Sequence, residues 1–326
     1  MKKLNIFLLS LLLMIGVLVG CGGTTDENET DNTEEESTEQ TEQSTDEESA
    51  FPVTVEDGNG EEVSIEEEPE AIVSLIPSNT ELAFALGLGD KIVGVSDHDN
   101  YPEEALEKEK IGGLELNIEA ILALEPDLVL AHPSNDPDGL EQLKESGLTV
   151  LTMNDATNFD EVYESIEMMA TATGTETEGE EIITTMQDDL TALEEKASEI
   201  SEEDMKKVFI EISPEPEIFT PGNNTFENEI LTKINAINIA EDEEGWVELN
   251  EETIVEKNPE VIILSYDYTE DPVGDVLARD AWQDIEAVKN EQVIQVDTDL
   301  ISRPGPRLVE GAETLAKAIY PDVFGE

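Results

Sequence analysis

Leu116-Asn-Ile-Glu-Ala-Ile-Leu-Ala-Leu-Glu-Pro-Asp-Leu-Val-Leu130 returns 133 residues later as Leu249-Asn-Glu-Glu-Thr-Ile-Val-Glu-Lys-Asn-Pro-Glu-Val-Ile-Ile263. Between Leu116 and Pro126, five of eleven positions are identical: Leu, Asn, Glu, Ile and Pro. In each copy a capped helix ends before proline, which disfavours helix at the residue preceding it, and the chain runs straight into a buried strand. Two copies of one helix–strand unit predict two related α/β lobes, the alternative being chance similarity of two such units. A ligand would sit in the cleft between the lobes.

Strands and helices alternate on both sides of the first copy. Val53-Thr-Val55 and Val63-Ser-Ile65 flank Asp57-Gly58-Asn59-Gly60, a hairpin signal. A buried strand is expected at 71–76, then Ser78-Asn-Thr-Glu81 as a capping box opening a helix over 82–86 that stops at Gly87. Further strands are expected at 91–95, 127–131 and 148–152, with helices at 117–125 and 137–146. The βαβα order implies a mostly parallel sheet covered by helices. Between 158 and 200 two helices are expected, broken at Gly174; the second carries Ile182, Ile183, Met186, Leu190, Leu193 and Ala197 near helical spacing. The alternation resumes at Val208-Phe-Ile-Glu-Ile212. The expected organisation is therefore a first α/β lobe at 51–157, helices at 158–200 that include a long inter-lobe helix, and a second α/β lobe at 201–326.

The chain has 326 residues, with 81 acidic against 16 basic side chains and a formal net charge of −65. Such a surface excludes nucleic-acid binding through a basic face and electrostatic adhesion to anionic lipid. Residues 24–50 hold 12 of the acids and no base among Thr, Ser, Gln and Asn, a composition that cannot form a core; 21–50 reads as a self-repelling tether. Residues 51–326 keep 69 acidic side chains against 14 basic ones. The acidic body points to a salt-adapted host, where screening suppresses self-repulsion, or simply to a soluble acidic surface.

Lys2 and Lys3 precede an apolar run, Leu4 to Val19, closed by Leu18-Val19-Gly20-Cys21. This resembles the bacterial lipoprotein lipobox: a signal peptide at 1–20, cleavage before Cys21 and lipid on its thiol. An ordinary signal peptide or an N-terminal anchor are the alternatives. Cys21 is the sole cysteine, so disulfides and cysteine-bound metal are ruled out.

Leu75-Ile-Pro-Ser-Asn-Thr-Glu-Leu-Ala-Phe-Ala-Leu-Gly-Leu-Gly-Asp90, Val93-Gly-Val95, Asn100-Tyr-Pro102, Asn117-Ile-Glu119, Glu125-Pro-Asp127 and Arg303-Pro-Gly-Pro-Arg307 together resemble the helical-backbone class of periplasmic binding proteins. These capture cobalamin, haem or ferric siderophores for ABC importers, and the resemblance covers roughly 52–322. It implies two α/β lobes with mostly parallel sheets joined by a single long helix. It also implies partnership with an ABC permease dimer and its ATPase subunits, at the outer face of the cytoplasmic membrane, as a monomer.

The resemblance carries over singly to several residues. Glu119 and Glu252, equivalent within the repeat, match the glutamates that dock onto permease arginines; each is otherwise one acid among many. Phe219 and Trp246 stand where aromatics pack on a corrin in cobalamin-binding members, and Asp299 matches a polar ligand contact. Three first-lobe aromatic positions depart from that pattern, falling on His98, His132 and Gly112-Gly113. His98 and His132 are the only histidines. Imidazole can ligate iron or cobalt as an axial ligand, or hydrogen-bond a ligand edge, which favours haem or a ferric chelate; both could equally be surface loop residues. Arg303 would pair with a ligand carboxylate or neutralise local acid, and Arg307 would cap and pack. No Gly-x-Ser-x-Gly, His-Glu-x-x-His or Walker A motif is present. The expected function is non-enzymatic: a lipoprotein that captures a metal chelate, cobalamin or an iron complex, with no intrinsic cofactor. An acidic surface lipoprotein without transport is the alternative.

Overall fold

The computed structural model describes residues 51–113 and 115–325. The signal segment, Cys21 and the 21–50 tether lie outside the described residues. The chain enters through an antiparallel hairpin, Val53–Glu56 (β1) and Glu62–Ile65 (β2). Its turn is closed by Asp57, whose Oδ1 accepts from the backbone N–H groups of Asn59 (2.8 Å) and Glu61 (2.9 Å).

The first α/β half follows as Ile72–Ser74 (β3), Pro77–Ala85 (α1), Ile92–Val95 (β4), Glu109–Lys110 (β5), Ile118–Ala123 (α2), Leu128–Ala131 (β6), Pro137–Glu145 (α3) and Val150–Thr152 (β7). Its sheet runs β5-β4-β3-β6-β7 and is parallel throughout. Phe159–Thr173 (α4) then ends on Gly174, whose φ of +71° suits a residue without Cβ. Glu176–Ala197 (α5), 22 residues long, leads to the second half. That half comprises Lys207–Glu211 (β8), Phe219–Pro221 (β9), Phe226–Lys233 (α6), Ile237–Asn238 (β10), Trp246–Glu248 (β11), Glu251–Lys257 (α7), Val261–Leu264 (β12), Pro272–Leu277 (α8), Glu286–Lys289 (α9), Val293–Gln295 (β13), Thr298–Ser302 (α10), Leu308–Ile319 (α11) and Pro321–Phe324 (α12). Its main sheet, β10-β8-β12-β13, is again parallel, and β9 and β11 form a separate antiparallel pair.

The internal repeat is visible in this order. The run β4-β3-β6-β7 corresponds to β10-β8-β12-β13, with the repeated strands β6 and β12 at equivalent inner positions, each buried along its length. Asn117 and Asn250 cap α2 and α7 in the same way, their side chains accepting from the N–H of Ala120 (3.1 Å) and Thr253 (2.9 Å). Both repeats leave the helix through a left-handed residue just before proline, Glu125 at φ +48° and Asn258 at +47°.

The capping box expected at Ser78 does not form. Helix α1 begins earlier, with Pro77 in its first turn and Ile76 as an N-cap that makes no side-chain hydrogen bond. Proline's fixed φ already suits that first position, which frees Glu81 for a longer-range partnership described below.

Alternating strand residues face opposite ways, as the pleat requires. Val73 and Val129 pack with Ile121 and Leu143 on one side of the first sheet. Phe209, Ile262 and Leu264 pack with Trp282 on one side of the second. The opposite faces, carrying Ile72, Leu130, Ile210 and Ile263, join one continuous core through Phe159 and Ile166 of α4, Met186 and Leu190 of α5, and Leu308 and Leu315 of α11. Both sheets are thereby held to the same helical layer.

Candidate ligand-binding site

The parallel strands of the first sheet release their loops at one end. Ile76, Pro77 and Ser78 follow β3, His132 follows β6, and Asp155 and Ala156 follow β7; all six line one cavity of about 340 Å³. The opposite wall comes from the second half: Phe226 and Glu227 at the start of α6, Trp246 at the start of β11, and Ser302, Arg303 and Pro304 at the end of α10. A crevice beyond the carboxyl ends of parallel strands is where open α/β sheets bind ligands, and this volume is within the range of small-molecule sites.

Trp246 is 50% exposed although it is the largest aromatic on the wall. An indole left half in water beside a cavity is a surface for stacking a flat ligand. His132 is half-buried, and burial holds its imidazole below the ordinary value, outweighing the opposing effect of Asp155. Nδ1 faces the Ser134 hydroxyl at 2.8 Å and accepts from the Ser134 backbone N–H at 3.2 Å. That assigns the proton of the neutral ring to Nε2, which stands 3.6 Å from Asp155 Oδ1. In this arrangement the ring's free lone pair is engaged by the protein, and Nε2–H is its donor toward the cavity side.

Arg303 is held by acids of both halves: Glu81 at 2.7 Å and Asp299 at 2.8 Å, with the Asn100 side-chain oxygen also at 2.7 Å. Glu81 in turn grips Arg307 in a bidentate pair of 2.7 and 2.8 Å, and Arg307 lies over the Tyr101 ring, 3.8 Å from its centroid. The hydrogen bond to Glu81 raises the Arg307 pKa further. One buried carboxylate thus bridges two guanidinium groups from the other end of the chain, and neither carries an unopposed charge into the cavity. Asp299 accepts from Asn100 Nδ2 (2.8 Å) as well as pairing with Arg303.

Of the residues singled out in the sequence, the structure brings His132, Trp246 and Arg303 together on the cavity wall. Asp299 lies directly behind Arg303. His98 is exposed and stands against Gly113, where an added Cβ would be 3.0 Å from its Nε2; it does not line the cavity. Phe219 is half-buried in β9, paired with β11, and is also off the wall. Glu119 and Glu252 are exposed at matching positions in the first turns of α2 and α7.

Sequence reasoning missed three participants: Glu81, Asp155 and Glu227. The Glu227 side chain is almost wholly buried on the wall, its Oε2 has no hydrogen-bond partner among the described residues, and burial pushes its pKa up to about 7 against the opposing effect of its own backbone N–H, Trp246 and Thr225. In a chain with 81 acids nothing local marks it out. A larger cavity, about 620 Å³, is lined by Phe84, Tyr101, Lys108 and Arg307 and borders the Glu81 cluster on another side. Its cations are already engaged, Arg307 by Glu81 and Lys108 by the Gly89 carbonyl at 2.7 Å, so the smaller cavity, with its open indole and the unpartnered Oε2 of Glu227, is the better ligand site.

Two α/β halves, a continuous helical layer and a cavity walled by both define a two-lobed solute-binding protein. The chain belongs to the periplasmic binding protein family, whose model matches residues 72–300. It is 46% identical over the full length of both chains to an uncharacterized ABC transporter substrate-binding lipoprotein, YvrC, of Bacillus subtilis. Among solved structures it is similar to a possible iron-binding periplasmic solute-binding protein of Staphylococcus epidermidis, at 34% identity and TM-score 0.70, covering 78% of this chain and 100% of that one. It is also similar to the vitamin B12-binding protein BtuF of Vibrio cholerae, at 30% identity and TM-score 0.66, covering 77% and 96%.

Proposed function

We propose that this protein captures an organic metal chelate between its lobes and delivers it, chemically unchanged, to an ABC permease. The observation that carries the reading is the cavity at the sheets' carboxyl ends, with a half-exposed Trp246 on one wall and His132 on the other. A corrinoid suits it better than haem. Haem carries carboxylates, and Arg303, the one basic side chain among the described residues of the wall, is already matched by Glu81 and Asp299, whereas the corrin periphery of cobalamin carries neutral carboxamides. The relatives whose names specify B12 and iron keep both chelate classes in the panel of ligands to test.

Glu119 and Glu252 are the docking residues in this reading. Their exposed carboxylates, one per repeat, would meet basic side chains of a two-fold permease, contributing orientation and association rate more than affinity. Cys21 would carry the lipid, placing the protein outside the cytoplasmic membrane with residues 21–50 as its spacer. The kinship to a substrate-binding lipoprotein supports that placement. Thermal unfolding of the purified chain with cyanocobalamin, haemin and ferric siderophores tests the reading. The cognate chelate at 100 times its Kd adds about 2.7 kcal/mol of stability, and no shift with any of them would refute it.

A further inference from the structure

Glu227 is the second residue of α6, two residues after the N-cap Thr225, whose hydroxyl oxygen accepts from the Asn228 N–H at 3.3 Å. Its side chain is 2% exposed and lines the cavity, yet Oε2 meets no hydrogen-bond donor among the described residues. The other charged or titratable groups on that wall are engaged. His132 faces Ser134 and Asp155, and Arg303 is shared by Glu81, Asn100 and Asp299. A buried acceptor with no partner is costly, and buried polar groups are otherwise almost always matched. A group that arrives with the ligand is the missing partner here.

Resting on the reading of this cavity as the chelate site, we infer that Glu227 is the specificity-determining residue, accepting a hydrogen bond from a carboxamide or amine N–H on the ligand's edge and rejecting a carboxylate there. An N–H satisfies Oε2 and favours its ionised form. A ligand carboxylate would set two acids against each other in a dry site, where they must share a proton or repel. The stacking face of Trp246 lies on the same wall, so one flat ligand would touch both.

Glu227→Gln keeps the shape and offers both an oxygen and an N–H. The experiment compares Kd for cyanocobalamin and its monocarboxylate derivatives, in which one peripheral amide has been hydrolysed, with the wild-type chain and with E227Q. The wild type is expected to bind the intact amide form at least about tenfold more tightly than one positional isomer. In E227Q that ratio falls to within about threefold, with a melting temperature no lower than that of the wild type. An unchanged ratio in E227Q, or equal wild-type binding of every isomer, overturns the inference alone. A wild-type preference for haemin or a carboxylate siderophore also overturns it while leaving chelate capture standing. Failure of the wild type to bind any of these chelates brings down both.

Discussion

Glu81 in α1 and Glu227 in α6 are both buried carboxyls, and their neighbours give them opposite roles. Glu81 lies between two guanidinium groups, so removing it takes the carboxylate from Arg307 and leaves Arg303 with that of Asp299 alone. Glu81→Ala is expected to cost about 3 kcal/mol, as for other broken buried ion pairs, read as a lower denaturation midpoint. Among the described residues no cation acts on the Glu227 carboxyl, and its folded pKa of about 7 is raised above the unfolded value. For an acid this sign means that stability is full below the unfolded pKa and is lost as pH rises through the folded one. Glu227→Gln should therefore be nearly neutral at pH 4 and become stabilising by about 3 kcal/mol at pH 8. Denaturation at both pH values checks this, and a pH-independent difference would count against it. Neither role was legible in sequence. Arg303 stood out because bases are rare, but its partner Glu81 is 222 residues away. Ser78-x-x-Glu81 reads locally as a capping box, and it lost to that distant partner.

At the scale of elements, α2 and α7 were the most legible pieces of the chain. Their caps, their exits before Pro126 and Pro259, and the buried strands that follow are set within about fifteen residues, where local rules hold. The strand order around them follows from the same repetition. What local rules could not reach was the wall of the cavity: His98 and Phe219 lie on elements near it, but their side chains do not line it. Glu119 and Glu252 are exposed on the first turns of these helices, and neither joins an ion pair with another described residue. Replacing such surface carboxylates costs little stability. The double variant Glu119→Lys, Glu252→Lys should fold and bind ligand as the wild type does, yet lose at least about tenfold in transporter-dependent uptake. Reduced ligand affinity in that variant, or full uptake, would remove docking from these residues.

Across the whole molecule, two features govern behaviour. The core is continuous from one sheet to the other through α4, α5 and α11, which favours small adjustments of the lobes over wide opening. The charge of −65 opposes compaction at low ionic strength. Raising NaCl from 0.1 to 1 M shortens the screening length from about 10 Å to about 3 Å and should raise the melting temperature; a fall would show that self-repulsion is not the limiting term. The same screening would weaken Glu119 and Glu252 docking, so stability and delivery are expected to respond to salt in opposite directions. Capture itself is tested most directly by titrating the chain with cyanocobalamin, haemin and ferric siderophores while following tryptophan fluorescence. Trp246 is half-exposed on the cavity wall and Trp282 is sealed in the second core. Saturable quenching by one chelate per chain is expected, with Trp246→Ala weakening affinity at least about tenfold. Absence of saturable binding, or equal affinity without the Trp246 indole, would contradict it.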